Sequence, residues 1–403
     1  MSINKESQKA PNLRFKGFTD DWEQRKLKDV SERVRGNDGR MELPTLTISA
    51  GKGWLDQRDR FSGNIAGKEQ KNYTLLSENE LSYNKGNSKL AKYGVVFKLS
   101  AYKEALVPRV YHSFRTNKEA NPDYIEYMFA TKLPDRELGK LVTSGARMDG
   151  LLNINYDDFI GIKIKIPSLA EQSKISILFI QLDNLITLHQ RKLDQLNQLK
   201  AALLQQMFPG KGETVPKLRF AGFEGDWEER KLGEMVGTIS SGNRLPKSEL
   251  TKGNVPYIVA QTKNNGVFGY ISENTKDYNG NDMKLFPSNS ISFSIDNPEA
   301  IFYRNEPFYT SNIMRVIHNE TLREFDYIFI IESMKMFTKS YDWSRKFSGP
   351  IVSNLKIMFP MDNEEQLKIG QFFKQLDNTI TLQQRKLEQL QDIKQVLLQN
   401  MFI

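Results

Sequence analysis

Residues 11–30 read PNLRFKGFTDDWEQRKLKDV, and residues 216–235 read PKLRFAGFEGDWEERKLGEM. Twelve of these twenty positions agree without a gap, including Phe15 with Phe220 and Trp22 with Trp227. Residues 172–208 and 366–402 form a second pair that agrees at 23 of 37 positions. Agreement over this length indicates an internal duplication, so the sequence predicts one architecture built twice.

The stretches between the repeated segments, roughly 31–160 and 236–354, hardly resemble each other. Short apolar runs at 106–111 and 312–317 predict strands, and runs at 124–130 and 327–334 predict helices. The alternating segment 160–166 predicts a strand leading into the second repeated segment. The fold class is therefore mixed α/β, with two α/β domains that share a frame and differ in their contents.

The second repeated segment predicts a long helix in each half. Ser168 with Glu171, and Asp362 with Glu365, have the spacing of a capping box. Apolar residues then recur at mostly heptad spacing, which predicts a coiled-coil-like stripe. The stripe comprises Ile186, Leu193, Leu196, Leu203 and Met207, and in the second copy Ile380, Leu387, Leu390, Leu397 and Met401. Neither stripe is expected to remain exposed, and the natural partner of each helix is the other copy.

Composition limits the class of protein. The formal charge is +8 and the pI is about 9.2, which favours an anionic partner. The absence of cysteine excludes disulfides, thiolate metal sites and a cysteine nucleophile, and it suits the cytoplasm. The first ten residues are polar, unlike a secretory signal, and no apolar run approaches the roughly 20 residues that span a bilayer. We expect a soluble cytoplasmic protein.

Motifs for chemistry are weak. The sequence has no Walker loop and no Asn/Asp-Pro-Pro-aromatic motif of an adenine methyltransferase. Asp59, Glu69 and Lys71 could be imagined as a nuclease site, but the second half has no counterpart. His112, His189 and His318 lie far apart in sequence, so they do not suggest a metal or acid–base cluster. We predict a protein without catalytic residues or a metal site.

DNA binding has better support. Between residues 81 and 118 there are eight basic residues and one acid, interleaved with aromatic residues. Loops in both halves carry Arg, Lys, Asn, Gln and Ser, which read base edges and contact phosphates. The predicted DNA-binding residues are Lys85, Asn87, Ser88, Lys89, Lys92, Arg109, Arg147, Ser241, Asn243, Arg244, Gln261, Lys263, Asn264, Arg345 and Lys346.

The repeated segments resemble the specificity subunits of type I restriction-modification systems. The resemblance covers essentially the whole chain, and its most specific parts are 11–27, 216–232, 164–175 and 357–369. It implies target-recognition domains at 1–167 and 217–361, conserved spacer helices at 168–208 and 362–403, and a linker at 209–216. It also implies that the two helices lie antiparallel and that the two halves are related by a pseudo-twofold axis.

The resemblance further implies a non-catalytic role. Such a subunit reads a bipartite, asymmetric target on double-stranded DNA, with one half-site for each recognition domain. It binds two modification subunits, which methylate adenine with S-adenosylmethionine, and two restriction subunits, which use ATP and magnesium. The chain itself is expected to bind no cofactor. For partner docking we select exposed polar positions of the repeated helices, namely Gln190, Arg191, Gln384 and Arg385.

A second interpretation of the same residues is that the protein is a stand-alone, sequence-specific DNA-binding regulator with a duplicated DNA-recognition domain. Binding of a defined bipartite sequence without any modification partner would favour it. A fused nuclease is the third alternative, and it would leave the duplication unexplained.

Overall fold

A computed structural model describes residues 8–61, 67–86, 88–142, 151–245, 250, 253–338, 341–342 and 345–403. The chain divides into two compact units, here called unit 1 and unit 2. Unit 1 comprises Met1–His189 and Lys386–Ile403, and unit 2 is Gln190–Arg385. Each unit therefore contains the first part of one long helix and the last part of the other. The boundaries between the two compact units therefore lie within the two long helices.

The strands and helices that begin in unit 1 are β1 Glu23–Lys26, β2 Ser31–Arg33, β3 Leu46–Ser49, β4 Gly53–Asp56, β5 Thr74–Ser77, β6 Leu81–Asn84, β7 Val95–Lys98, β8 Glu104–Val107, β9 His112–Thr116, β10 Lys163–Ile166, α1 Gln57–Phe61, α2 Pro122–Ala130, α3 Asp135–Leu141, α4 Tyr156–Ile160 and α5 Leu169–Met207. Those that begin in unit 2 are β11 Glu228–Lys231, β12 Ile239–Ser241, β13 Val255–Ile258, β14 Val267–Ile271, β15 Ser290–Ser294, β16 Ile301–Arg304, β17 Tyr309–Thr310, β18 Met314–Ile317, β19 Lys356–Phe359, α6 Leu232–Val236, α7 Glu324–Thr338, α8 Gly349–Ser353 and α9 Asn363–Asn400.

Both units contain the same four-stranded antiparallel sheet, although their sequences in this region hardly agree. The strand order is β2-β9-β6-β7 in unit 1 and β12-β18-β15-β16 in unit 2. One helix covers each sheet, α2 in unit 1 and α7 in unit 2, and aromatic residues of sheet and helix form the core. The prediction of mixed α/β domains in both halves is confirmed.

Three predicted strands are shorter than expected, and one of them, the run 312–317, begins only at Met314. The other two differ as follows. The run 106–111 is a strand only to Val107, because Pro108–Tyr111 form a turn in which the Tyr111 amide donates to the Pro108 carbonyl over 3.0 Å. The run 160–166 begins at the end of helix α4, and its strand starts at Lys163. In both places a turn that satisfies backbone groups locally replaces the ladder.

The repeated segments close each domain with a short antiparallel ladder. Strand β1 pairs with β10, which precedes helix α5, and β11 pairs with β19, which precedes α9. The register matches in the two copies, with Glu23 opposite Ile166 and Glu228 opposite Phe359. The chain therefore enters and leaves each variable stretch through neighbouring strands, so the stretch can change without disturbing the frame.

A buried ion pair fastens the first repeated segment to the start of each long helix. Arg14 donates from Nε and Nη2 to the two carboxylate oxygens of Glu171 over 2.7 and 2.8 Å. Arg219 binds Glu365 in the same way, over 2.6 and 2.8 Å. Both glutamates are fully buried. Such two-pronged charged hydrogen bonds are strong and fix geometry.

These pairs correct the predicted capping boxes. Ser168 Oγ does accept from the Glu171 amide, over 3.4 Å, and Asp362 Oδ1 accepts from the Glu364 amide over 2.8 Å. The glutamate side chains do not complete the box, because their carboxylates bind Arg14 and Arg219. A bidentate guanidinium partner offers two charged hydrogen bonds where the backbone amide offers one neutral donor.

The end of each long helix contacts the start of the other within a unit. In unit 1, Phe179 contacts Phe402, with ring centroids 5.9 Å apart, and Asp183 binds Lys394. In unit 2, Phe208 contacts Phe373, and Lys200 binds Asp377 over 2.6 Å. These four positions of each unit correspond in the repeat. All ten residues of the predicted heptad stripes are buried or half-buried.

The Arg219–Glu365 pair gives a testable prediction. Glu365→Gln leaves the Arg219 charge without its partner and is expected to lower the free energy of unfolding by roughly 3–5 kcal/mol. The matched control is Glu228→Gln, which removes an exposed partner of Arg230 and is expected to cost about 1 kcal/mol or less. Thermal and denaturant unfolding of the two variants measure the difference. Equal small losses would contradict a structural role for the buried pair.

Candidate nucleic-acid interface

The predicted DNA-binding residues of unit 1 that the structure describes lie at one end of its four-stranded sheet. Strand β6 ends at Asn84 opposite Val95, where β7 begins, and Tyr83 pairs with His112, where β9 begins. The loop from Lys85 to Lys92 and the turn that carries Arg109 therefore leave the sheet at the same end. Asn87 and Arg147 lie outside the described residues.

The side chains of this loop differ in their surroundings. Lys89 and Arg109 are exposed, and the Lys92 ammonium lies 5.3 Å from the ring centre of Tyr93. Lys85 instead points inward and donates to the Ile154 carbonyl over 3.2 Å. Ser88 Oγ accepts from the Ala91 amide over 3.1 Å, which shapes the loop. Lys89, Lys92 and Arg109 are therefore placed to meet an anion, whereas Lys85 and Ser88 support the loop.

A basic stripe that the sequence reading missed lies beside this loop. Arg136 and Lys140 lie four residues apart on helix α3, and Lys132 lies four residues before Arg136, in the turn that precedes the helix. The Lys132 ammonium donates to the Leu90 carbonyl over 3.2 Å, which joins the stripe to the loop. All three line a cavity of about 410 Å³, together with Lys163 of β10. The i, i+4 spacing of the three basic residues is the signal that would have found it.

Unit 2 gathers its predicted residues at the corresponding end of its sheet. Ser241 ends β12 opposite Arg315, near the start of β18, and Ser294 ends β15 opposite Met314. Lys346 lies 4.0 Å from Asp296, just after β15, and Arg345 precedes it. The Ser311 amide donates to the Ile258 carbonyl over 3.0 Å, which brings the loop after β13 to the same end. That loop carries Gln261, Lys263 and Asn264.

Three of the side-chain amides are hydrogen-bonded within the protein, and one of them, Asn264, donates to the Val267 carbonyl over 3.5 Å. The Asn243 amide donates to Asp277 over 2.9 Å and accepts from the Lys284 backbone amide over 2.9 Å. Its hydrogen bond lowers the pKa of Asp277 below the usual range. Gln261 donates to the carbonyls of Lys263 and Val267. These amides therefore hold loops in shape.

Most of the predicted residues of unit 2 are open to solvent. Ser241, Arg244, Lys263, Asn264, Arg345 and Lys346 are exposed. The Arg244 guanidinium lies 4.5 Å from the ring centre of Tyr278, so its planar face is supported by an aromatic ring. Supported and exposed basic side chains suit contacts with phosphate or a base edge.

The partner-docking positions lie on the long helices. Gln190, Arg191, Gln384 and Arg385 are all exposed, and Gln190 donates to Asp194 over 2.9 Å. None of the helices in the described part of the chain has the length and apolar character that crossing a bilayer requires.

Two of the residues considered for catalysis make contacts within the protein. Within the ranges that the structure describes, there is no group of three or more His, Asp or Glu residues that could hold a metal ion. Glu69 accepts from Asn72 over 2.8 Å. His112 is buried with Nε2 2.9 Å from the Ile154 carbonyl, and burial lowers its pKa. It is part of the core of unit 1.

Comparison with known proteins agrees with this geometry. The family model described as "Type I restriction modification DNA specificity domain" matches residues 19–198 and again residues 224–392. The type I restriction enzyme MjaVIII specificity subunit of Methanocaldococcus jannaschii is 25% identical over 310 residues, which is 68% of each chain. The putative MjaX specificity subunit of the same organism is 24% identical, over 61% of this chain and 60% of its own length.

A solved structure shows the same fold. The crystal structure of the type I restriction-modification S subunit from M. genitalium aligns with a TM-score of 0.69 at 16% identity, covering 98% of this chain and 99% of the other. The two family matches together cover most of the sequence, one in each half, and the predicted resemblance is confirmed. The chain therefore belongs to the type I restriction-modification DNA specificity family and carries the specificity domain twice.

Proposed function

We propose that this chain reads a bipartite, asymmetric sequence on double-stranded DNA, with one half-site for each recognition domain. The observation that carries the proposal is the frame repeated in both halves, which holds two variable stretches of the same topology and different sequence. Two different readers on one chain bind two different half-sites. Linking them makes the second contact intramolecular, so two modest interfaces give high specificity.

The recognition domains in this proposal are residues 1–167 and 217–361, and the linker 209–216 connects the first spacer helix to the second domain. The spacer helices 168–208 and 362–403 lie antiparallel and fix the gap between the half-sites. A 39-residue helix is about 58 Å long, which is enough to hold two readers about one turn of DNA apart. The contacts of Asp183 with Lys394 and of Lys200 with Asp377 support this arrangement, because they recur at matching positions of the repeat.

As a member of the specificity family, the chain is a non-catalytic component, and the stand-alone regulator is not favoured. We place its assembly in the cytoplasm, with two modification subunits and two restriction subunits. In that assembly the modification subunits use S-adenosylmethionine to methylate adenine, and the restriction subunits use ATP and magnesium. In this proposal the chain provides the DNA sequence specificity of the complex and binds no cofactor.

Contacts with DNA are assigned to the loops at the end of each sheet. The proposed residues are Lys85, Asn87, Ser88, Lys89, Lys92, Arg109 and Arg147 in the first domain, and Ser241, Asn243, Arg244, Gln261, Lys263, Asn264, Arg345 and Lys346 in the second. Among these, the exposed basic residues are proposed to contact phosphates or guanine edges. Lys85, Asn243 and Gln261 act by shaping the loops that carry them.

Docking of the modification subunits is assigned to the long helices. Leu188 is 61% exposed, and Leu382 at the matching position of the repeat is 52% exposed. Arg191 and Arg385 lie three residues further along, on the same helix faces, beside Gln190 and Gln384. Exposed leucines at equivalent positions in both copies support two binding surfaces for two copies of one partner.

The central prediction concerns adenine methylation. The chain is expressed with its modification subunit in a host without adenine methylation, and N6-methyladenine is mapped across the genome by single-molecule sequencing. We expect one bipartite motif that is methylated only when this chain is present, because this chain determines which DNA sequence the modification subunit methylates. A control strain expresses the modification subunit alone. No new methylation, despite a soluble complex, would contradict the proposal.

A second prediction concerns the docking surface. The double substitution Leu188→Ser with Leu382→Ser is expected to weaken binding of the modification subunit about tenfold or more, because two apolar contacts are lost. Calorimetry or analytical ultracentrifugation of the purified components measures the affinity. The control is Leu285→Ser, a leucine away from the long helices that is 47% exposed. Undiminished affinity of the double variant would show that the partner binds elsewhere.

A further inference from the structure

One hairpin of unit 2 stands out because it exposes aromatic residues. Strand β13 pairs antiparallel with β14, and together with the intervening loop they form the hairpin 255–271. Phe268 and Tyr270 alternate along β14 and are each 52% exposed, whereas Ile271 is buried. The two rings therefore lie on the side of the strand that faces solvent. Exposed aromatic residues at neighbouring positions indicate a binding surface.

The corresponding hairpin of unit 1 lacks this feature. Its outer strand β4, paired with β3, has no exposed residue, and the indole of Trp54 donates to the Lys98 carbonyl over 3.0 Å. The exposed rings are thus a property of one variable stretch and not of the repeated frame. A partner that binds both halves alike would need the feature twice, so the hairpin is suited to a ligand that differs between the halves. The two DNA half-sites are such a ligand.

The tip of the hairpin is held in an unusual shape. Asn264 and Asn265 have φ angles of +48° and +50°, and Gly266 follows at +81°. Left-handed backbone at consecutive asparagines costs energy, so surrounding contacts must fix it. The Gln261 amide supplies them by donating to the Lys263 and Val267 carbonyls over 3.3 and 3.0 Å. The exposed side chains of Lys263, Asn264 and Asn265 are thereby presented on a preformed tip.

The charge of the hairpin suits DNA. Residues 255–271 include Lys263 and no acidic residue, so nothing on the hairpin repels phosphates. Strand β14 is the outer strand of its three-stranded sheet, whose order is β14-β13-β17. A two-stranded ribbon fits the major groove, where lysine and asparagine read guanine and adenine and apolar groups contact the thymine methyl.

We propose that the hairpin 255–271 is the element of unit 2 that enters the major groove of its half-site. Lys263 and Asn264 face base edges, Phe268 contacts a thymine methyl or the adjoining sugar, and Gln261 holds the tip in shape. This inference rests on the proposed function, because it assumes that each unit reads one half-site.

Methylation mapping of variant complexes tests the proposal. Asn264→Gly keeps the left-handed backbone without strain and removes the side-chain amide together with its 3.5 Å hydrogen bond to the Val267 carbonyl, and Phe268→Ser removes an exposed ring. We expect each variant to lose about tenfold or more of its preference at one or two positions of a single half-site, with the other half-site unchanged. The control is Val215→Ser, which alters an exposed residue of the linker. Thermal unfolding of every variant is expected to match the wild type.

The methylation maps distinguish a failure of the proposed function from a failure of the hairpin proposal. If the wild-type complex produces no bipartite motif, the proposed function fails. If the wild type produces the motif and both variants retain it with undiminished preference at every position, the hairpin proposal is overturned. It is also overturned if the variants lose the modification subunit while the control retains it, because the exposed strand then binds protein. Relaxed preference confined to one half-site supports it.

Discussion

The bidentate pairs of Arg14 with Glu171 and of Arg219 with Glu365 are the constraint on which the rest of the structure depends. Each pair ties a segment at the entry of a recognition domain to the first turn of the helix at its exit. A buried carboxylate requires a charged partner in good geometry, so a change of either residue alone is expected to lower the stability of the fold strongly. The two-stranded ladder beside each pair then fixes where the variable stretch begins and ends.

The C-terminal end of each long helix also contacts one of the first repeated segments. Trp22 packs edge-on against Phe402 in unit 1, and Trp227 packs edge-on against Phe208 in unit 2. The backbone amide of Leu13 donates to the Asn400 carbonyl, and that of Leu218 donates to Gln206. Each domain therefore completes its core with residues from the end of the other repeated helix. The same frame encloses two variable stretches of different sequence in this chain. The sequence of a variable stretch can therefore differ while the contacts of the frame stay the same.

Much of the frame could be predicted from sequence because repetition is visible without a structure. The long helices and their buried stripes follow from heptad spacing. The partner of Glu171 did not follow, because Arg14 is 157 residues away and local capping was the simpler reading of the spacing. The available clue was that Arg14 recurs as Arg219 and Glu171 recurs as Glu365. A basic residue and an acid that are both present in each copy of a repeat suggest an ion pair.

The loops at the sheet ends were less predictable. Residue type identified them as candidates, yet it did not reveal that the amides of Asn243 and Gln261 bind within the protein while Arg244 and Lys263 stay exposed. The direction of a loop side chain depends on tertiary hydrogen bonds, which carry no periodic signal. The basic residues at and before α3 did not follow from the aromatic and basic run at 81–118, because they lie beyond its end.

The claim that one frame presents two interchangeable readers is tested most directly by duplicating one reader. A chain in which residues 236–354 are replaced by a second copy of residues 31–160 is expressed with the modification subunit, and its methylated motif is mapped. We expect a symmetric motif in which the first half-site occurs twice in inverted orientation. An intact complex that still methylates the original asymmetric motif would contradict the claim, because recognition would then not reside in the variable stretches.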